Sequence, residues 1–254
     1  MKVVSGSAIG PRRQRSWNIF ESVFFIFLVL ITGFILMRSP FFEVRSILVQ
    51  GNQLLDQGKI KYVSDIAPGA NIFKVDLAAA ATRLKLIPMV KDVQVTRSLP
   101  STVVIGVTER KPVGLLPTGE GFIEVDGEGV YLQKANAGAP GLPVVTGINL
   151  NLPSPGEVVK DVRLGDALTV ISNLSSETVA DLSEVHVDND GQIRLYTIEG
   201  IQCRFGLAED IQKKGDIFSQ LLKELSAQKD KIYYIDLSCA DNPVVFYDIH
   251  KGAI

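Results

Sequence analysis

Sixteen consecutive residues from Ser22 to Met37 carry no charge and read SVFFIFLVLITGFILM. Extending this stretch back to Trp17 gives 21 residues in which Glu21 is the only charged side chain. A helix of that length rises about 30 Å, which matches the hydrocarbon core of a bilayer. Trp17 falls where an aromatic side chain at the membrane interface is expected. The segment Trp17–Arg38 therefore predicts one transmembrane helix in contact with membrane lipid.

The charges that flank this segment predict its orientation. Four basic residues and no acidic residue precede it: Lys2, Arg12, Arg13 and Arg15. Basic flanks stay in the cytoplasm, so residues 1–16 are expected as a cytoplasmic tail and the rest of the chain outside the cytoplasm. A cleaved signal peptide is the alternative, but the residues after the apolar run, LMRSPFF at 36–42, lack a small-residue cleavage site. We predict an uncleaved anchor.

The composition limits the partners of the exported part. The chain has 254 residues, of which 46% are hydrophobic, and can bury the core of one or two domains. From Arg38 onward 22 basic residues face 27 acidic residues, a net charge of −5. Binding to nucleic acid depends on basic residues that neutralise phosphates. We expect no nucleic-acid partner.

Residues 41–111 predict a compact α+β domain. A short strand at 44–49 precedes a helical stretch that ends at Pro68, and a second helix begins after the predicted N-cap Asp76 and ends at Pro88. Two runs of alternating apolar residues around the turn at 98–101 then predict a β-hairpin. The order β-α-α-β-β places two helices against a three-stranded sheet. Seven apolar residues are expected in the core: Ile47, Val49, Leu84, Val93, Val95, Ile105 and Val107.

Residues 112–254 predict a mostly antiparallel β domain with helices. Apolar runs flank turns at 126–129 and 188–191, a pattern typical of β-hairpins. Apolar residues at helical spacing predict helices near 164–171 and 217–225. Further strands are expected at 201–205, 232–237 and 244–247. The fold class predicted for the whole chain is α+β, with a single transmembrane helix, a β-α-α-β-β domain and a β domain.

No set of residues predicts a catalytic, cofactor-binding or metal site. His186 and His250 are the only histidines, and neither lies in an HExxH motif. The acidic loop after His186 resembles part of an EF-hand loop, but Thr197 occupies the position of the bidentate Glu. No nucleophile-elbow or P-loop motif occurs. We therefore expect no enzyme activity, no cofactor and no small-molecule substrate.

Cys203 and Cys239 lie in the exported part. The sequence is compatible both with a disulfide between them and with two free thiols.

The motifs beyond the anchor resemble those of the FtsQ/DivIB family of bacterial cell-division proteins. Four phrases carry the resemblance: FEVRSILVQG at 42–51, GANIF at 69–73, VTERKP at 107–112 and YIDL at 234–237. The resemblance implies a POTRA domain at 41–111 and the second domain of the family at 112–254. It also implies a non-enzymatic scaffold of the divisome in the inner (plasma) membrane at the septum. Such a scaffold binds bitopic division proteins of the FtsB (or DivIC) and FtsL types and helps control septal peptidoglycan synthesis.

The resemblance further implies partner binding through the C-terminal strands. The positions carried over are Ser238, Cys239, Asp241, Asn242, Val244, Val245, Phe246 and Tyr247. Enterobacterial members have Arg-Tyr where this chain has Ser238-Cys239, so side-chain contacts must differ here. A backbone mode, in which a partner adds a strand to the sheet edge, does not depend on those side chains. Ordinary core packing of Val244 and Phe246 is an equal alternative.

Two other classes of function fit the sequence less well. A membrane-anchored cell-envelope hydrolase needs a catalytic set of residues, and the sequence offers none. A POTRA-type envelope assembly factor carries a β-barrel, and the sequence lacks a series of ten-residue alternating strands.

The orientation can be tested with reporters that are active only outside the cytoplasm. A reporter fused after Ile254 is expected to be active, and one fused before Trp17 to be inactive, because the basic tail is retained inside. The same fusions to a variant with acidic residues in place of Arg12, Arg13 and Arg15 are the control. The opposite pattern of activity in the parent chain would overturn the membrane topology.

Overall fold

The computed structural model describes residues 19–135, 141–225 and 232–247. The first element is helix α1, Ile19–Met37, which has no buried side chain. It is long and apolar enough to cross a membrane. Helix α1 coincides with the segment that the hydropathy pattern predicts, within two residues of its start and one of its end.

The next elements follow the predicted order β-α-α-β-β. They are a short 3-10 helix, β1, α2, α3, β2 and β3, with the bounds Pro40–Phe42, Ser46–Gln50, Gln57–Ser64, Leu77–Lys85, Val90–Ser98 and Thr102–Glu109. The three strands form one sheet in the order β1-β3-β2. Asp76 caps α3 as predicted, because its carboxylate accepts a hydrogen bond of 3.0 Å from the Ala79 N–H.

The predicted core of this part is right for five of its seven residues. Val49, Leu84, Val93, Ile105 and Val107 are buried. The prediction is wrong for Ile47 and Val95, which are only half-buried. They share a face with the buried Val49 and Val93 of the same edge strands, so alternation identifies the face correctly, but the cover over that face is incomplete at these two positions.

A nine-stranded sheet follows, in the order β12-β11-β10-β9-β8-β7-β4-β5-β6. Its strands β4 to β12 are Pro112–Thr118, Gly121–Asp126, Tyr131–Ala135, Val144–Thr146, Leu182–Val187, Ile193–Thr197, Gln202–Gly206, Ile232–Asp236 and Val244–Tyr247. The predicted hairpins are β5–β6 and β8–β9. Sequence reasoning missed β4, whose sequence PVGLLPT contains two prolines and a glycine, and β7, which has only three residues.

Five of the described strand pairs in this sheet are antiparallel and three are parallel, so the predicted class, mostly antiparallel with helices, is confirmed. Parallel neighbours need a crossover connection. Helix α6, Ile211–Glu224, connects β10 to its parallel neighbour β11. Helices α4, Val162–Asn173, and α5, Ser176–Ala180, connect β7 to β8.

Helices α4 and α6 share one hydrophobic core with the sheet. A row of residues in register across β7 to β11 lies in that core: Val145, Val185, Leu195, Cys203 and Ile235. Phe205 of β10 and Phe218 of α6 are fully buried. Side chains of a strand alternate between the two faces of a sheet, so the residues on either side of this row point to the opposite face.

The chain forms two compact units. Among the described residues, one comprises Ile19–Ile47, Ala67–Val75 and Arg97–Val103, and the other comprises Leu48–Ile66, Asp76–Thr96 and the described residues from Val104 to Tyr247. The predicted domain boundaries, 41–111 and 112–254, stay a prediction.

The VTERKP phrase at 107–112 has a structural role within the second unit. The Glu109 carboxylate accepts hydrogen bonds from three successive backbone N–H groups, those of Gln53, Leu54 and Leu55, at 3.0, 2.7 and 2.9 Å. It therefore fixes the loop between β1 and α2 to the end of β3.

Arg110 forms a cluster of ion pairs with the β5–β6 turn. Its Nη1 donates to Asp126 Oδ2 at 2.5 Å and to Glu128 Oε2 at 2.7 Å. Lys91 Nζ donates to Glu128 Oε1 at 2.7 Å. The buried Asp126 also accepts from the backbone N–H groups of Glu128 and Val130, both at 2.9 Å. This cluster links the end of β3 and the start of β2 to the first hairpin of the nine-stranded sheet.

Replacing Arg110 by Ala is expected to destabilise the chain by about 3 kcal/mol, because removing one partner leaves the buried Asp126 carboxylate without its cation. Urea unfolding monitored by circular dichroism measures the loss. Lys91→Ala is the matched control, since it removes only the exposed pair with Glu128 and is expected to cost much less. Equal losses in the two variants would contradict a special role for the buried pair.

The stability of the chain is also expected to depend on Glu128 at acid pH. Hydrogen bonds from Lys91 and Arg110 lower the pKa of Glu128 from 4.5 to about 2. A lowered pKa contributes stability that is complete above the ordinary pKa and is lost as the pH falls from 4.5 towards 2. The melting temperature of the parent is therefore expected to fall more between about pH 5 and pH 3 than the melting temperature of Glu128→Gln, whose side chain does not titrate.

Candidate partner-binding site

Strand β12 is an edge of the nine-stranded sheet. It pairs with β11 in an antiparallel register that places Val244 opposite Asp236, Val245 opposite Ile235, and Phe246 opposite Tyr234. Within residues 19–135, 141–225 and 232–247, no strand pairs with its outer side. The N–H and C=O groups on that side are arranged as a template for a further strand.

The predicted site residues fall on two neighbouring parts of this edge. Val244–Tyr247 form β12 itself, and the other four, Ser238, Cys239, Asp241 and Asn242, lie in the connection from β11. Their use in binding remains a prediction. The rest of the chain after Tyr247, including His250, lies outside the described residues.

The side chains of β12 alternate between the two faces of the sheet. Val245 is half-buried and packs against the hydrophobic core below α4 and α6. Val244 and Phe246 point to the opposite, helix-free face, and Phe246 and Tyr247 are 41% and 47% exposed. The sequence left two interpretations of Val244 and Phe246 open, packing in the core and contact with a partner. The structure places neither side chain in the core.

An aromatic stack crosses the three outermost strands on the helix-free face. The Phe246 ring of β12 lies 4.3 Å from the Tyr234 ring of β11, with 20° between their planes. The Arg204 guanidinium of β10 lies 4.1 Å from the centre of the Tyr234 ring. Stacked rings and a cation over an aromatic face are each mutually attractive. The stack holds Phe246 in place at the edge of the sheet.

Sequence reasoning missed Tyr234 and Arg204 as members of this site. Tyr234 begins the YIDL phrase at 234–237, but its role depends on the parallel pairing of β10 with β11, which places Gln202 beside Tyr234. The connection by α6 separates these residues by 32 positions in the chain. The alternation of side chains within a strand predicts which face of the sheet Tyr234 lies on. It does not predict which residues of the adjacent strands lie beside Tyr234.

The connection between β11 and β12 is fixed at both ends. The Ser238 backbone N–H donates to Asp236 Oδ1 at 3.0 Å, and the Asn242 N–H donates to the Cys239 carbonyl at 3.2 Å. Asp241 forms an ion pair with Lys213 of α6, which lowers the pKa of Asp241. These contacts position the connection before any partner is bound.

Gly206 at the end of β10 allows Ser238 to approach closely. Its φ angle is +81°, and a Cβ atom at this position would lie 2.9 Å from the Ser238 Cα. The ladder between β9 and β10 shifts register at this point. A side chain at 206 would displace the start of the β11–β12 connection.

His186 has polar partners on the same helix-free face. Its Nδ1 lies 2.7 Å from Thr146 Oγ1, and its Nε2 lies 3.1 Å from Asp188 Oδ1. Arg194 donates to the other oxygen of Asp188 at 2.5 Å. In the described part of the chain, no three His, Cys, Asp or Glu residues are grouped to hold a metal ion. His186 is therefore part of a polar network on the sheet surface.

Both cysteines are free in the structure. Cys203 is fully buried, and burial raises the pKa of its thiol. Cys239 is exposed in the β11–β12 connection.

Comparisons with known proteins identify similar families and relatives. Residues 42–110 match the POTRA domain, FtsQ-type, and residues 114–238 match the C-terminal part of cell division protein FtsQ/DivIB. Together these matches cover most of the chain. The second match ends at Ser238, so β12 lies beyond it.

Similar full-length proteins include a cell division protein FtsQ of Syntrophotalea carbinolica, 28% identical over 85% of this chain and 78% of its own length. A cell division protein DivIB of Clostridium botulinum is 28% identical over 89% of this chain and 90% of its own length. The extracytoplasmic domain of the trans isomer of DivIB from Geobacillus stearothermophilus superposes with a TM-score of 0.32 and 16% identity, over 48% of this chain and 97% of that domain. The matches in sequence, not this weak superposition, carry the relationship.

Proposed function

The chain belongs to the FtsQ/DivIB family of cell division proteins, and from this premise we propose that it is a non-enzymatic scaffold of the divisome. In this proposal it binds other bitopic division proteins and thereby helps control septal peptidoglycan synthesis. Its partners are of the FtsB (or DivIC) and FtsL types. The chain crosses the plasma membrane once at the division septum, with the POTRA and β domains outside the cytoplasm.

The outer side of β12, with which no strand of the described residues pairs, is the observation that carries this proposal. A partner segment can add itself as a further strand, with backbone hydrogen bonds providing affinity and neighbouring side chains providing selectivity. Phe246 and Tyr247 offer the partner large exposed surfaces, and burying aromatic area is the main favourable term at such interfaces.

Preorganisation of the edge supports tight binding. The stack of Phe246 on Tyr234 holds β12 against β11, whereas the solvent-exposed ion pair of Asp241 with Lys213 contributes little to holding the connection. Ordering a segment at the moment of binding costs free energy, so an edge that is already ordered loses less.

Proline substitutions at adjacent positions test the edge-strand mode. The N–H groups of successive residues on β12 point alternately towards β11 and away from it. Of the two variants Val244→Pro and Val245→Pro, one therefore removes a donor from the free outer side of β12, and the other removes a donor from the pairing with β11. We expect the outward variant to weaken binding of an FtsB-type partner at least tenfold while the sheet stays folded.

Side-chain variants distinguish a loss of partner contacts at β12 from a general loss of stability. Phe246→Ala and Tyr247→Lys are expected to weaken binding, measured by titration of the full chain in nanodiscs with the purified partner. Tyr62→Lys is the matched control, since Tyr62 is an exposed tyrosine on α2 and is not part of the nine-stranded sheet. Circular dichroism verifies folding of each variant. Unchanged affinity in the folded edge variants would refute this mode, and release of wall fragments by the purified chain would favour the hydrolase class instead.

A further inference from the structure

Three separate segments of the chain gather at the C-terminal end of α1 and form one compact unit with it. The Asn71 side-chain amide donates to the Met37 carbonyl at 2.7 Å, and the Ile72 N–H donates to the Phe42 carbonyl at 2.8 Å. Arg97 in turn donates to the carbonyls of Ile72 and Val75, both at 2.7 Å. The loop 67–75 is thus bonded to the end of the helix, and the end of β2 is bonded to that loop.

The length of α1 sets the depth of these segments. Nineteen residues rise about 28 Å, close to a hydrocarbon core of about 30 Å. When α1 crosses the bilayer, Met37 lies at the boundary of that core. A side chain hydrogen-bonded to the Met37 carbonyl then lies in the headgroup layer, which extends about 5–7 Å on each side of the core. Asn71 brings the loop 67–75 to that depth.

The unit exposes one large apolar side chain on each of the three segments. Phe41 and Leu99 are 55% and 57% exposed, and Phe73 is exposed beside Phe42, with 5.1 Å between the ring centres. Phe41 also lies against Phe42, with 5.2 Å between the ring centres, so the three phenylalanines form one contiguous apolar patch of the kind that marks a contact surface.

Basic residues accompany these apolar side chains. Arg38, Arg45 and Lys74 are exposed, and Glu43 is the only acidic residue in segments 38–47, 67–75 and 97–103. The exported part as a whole carries a net charge of −5, from 22 basic and 27 acidic residues. The excess of positive charge is therefore local to this unit, and it complements the phosphate groups of phospholipids.

We propose that these residues form a membrane-resting surface, consisting of Phe41, Phe73, Leu99, Arg38, Arg45 and Lys74, that is embedded in the headgroup layer of the outer leaflet. The three apolar side chains enter the interface, and the three basic side chains pair with lipid phosphates. Phospholipid is the occupant because the surface continues from the end of a membrane-crossing helix. The inference rests on the proposed function only for the membrane crossing and its orientation.

Fluorescence quenching in the full chain tests this surface. Leu99→Cys, made in a Cys239→Ser background so that only buried Cys203 remains, is labelled with an environment-sensitive dye and reconstituted into nanodiscs of phosphatidylcholine and phosphatidylglycerol. We expect emission shifted to the blue, strong quenching by a lipid-borne spin label and several-fold weaker quenching by iodide than at Leu86→Cys. Leu86 is the matched control, an exposed leucine after α3 in the other unit.

A second label and a charge variant complete the test. Leu28→Cys reports whether α1 is inserted, and adding Arg45→Glu and Lys74→Glu to the Leu99→Cys chain is expected to raise iodide quenching at 99. If lipid quenches the label at 28 and iodide quenches the labels at 99 and 86 equally, the membrane-resting surface is wrong. The membrane crossing of α1 is then still supported. A Leu28 label that lipid does not quench overturns the membrane crossing and this inference with it. Neither result bears on binding of division proteins at β12, which is measured separately.

Discussion

Helices α4 and α6 pack on one face of the nine-stranded sheet, and the two faces of that sheet differ in their side chains for this reason. The in-register row from Val145 to Ile235 lies below α4 and α6, and the pleat therefore places every neighbouring side chain on the opposite, helix-free face. Glu184, Tyr196, Gln202 and Tyr234 follow one another across that face from β8 to β11. The edge strand β12 inherits the same alternation, which turns Val245 inward and Phe246 outward.

Local pattern was sufficient to predict the elements whose partners are close in sequence. The hairpins β5–β6 and β8–β9, the N-cap Asp76 and the membrane helix depend on residues within a few positions of one another. Strand β4 was missed although its partner β5 is the next strand in the chain, because β4 holds two prolines that argue against a strand. Strand β7 has only three residues and pairs with β4 and β8, from which other elements separate it in the chain. Burial of Ile47 and Val95 was overestimated because alternation identifies the face of a strand but not how far neighbouring elements cover that face.

Several polar side chains of the described residues hold parts of the structure together. Glu109 fixes a loop, Arg110 neutralises the buried Asp126, and His186 bonds to Thr146 and Asp188. In the described ranges, every fully buried side-chain nitrogen or oxygen has a hydrogen-bond partner. The candidate site was predicted as a stretch of chain from the family resemblance. Its stacked partners Tyr234 and Arg204 could not be, because β10 and β11 meet only through the crossover by α6.

Cys203 gives the protein an internal reporter of its own unfolding. Its thiol is fully buried on β10, between β9 and β11, and burial disfavours the reactive thiolate. Cys239 is accessible in the folded state, so the two thiols differ in chemistry by position alone. A thiol reagent can therefore modify Cys239 in the folded protein, but reaches Cys203 only when β10 separates from its neighbours. The ratio of modification at the two sites measures how often this part of the sheet opens.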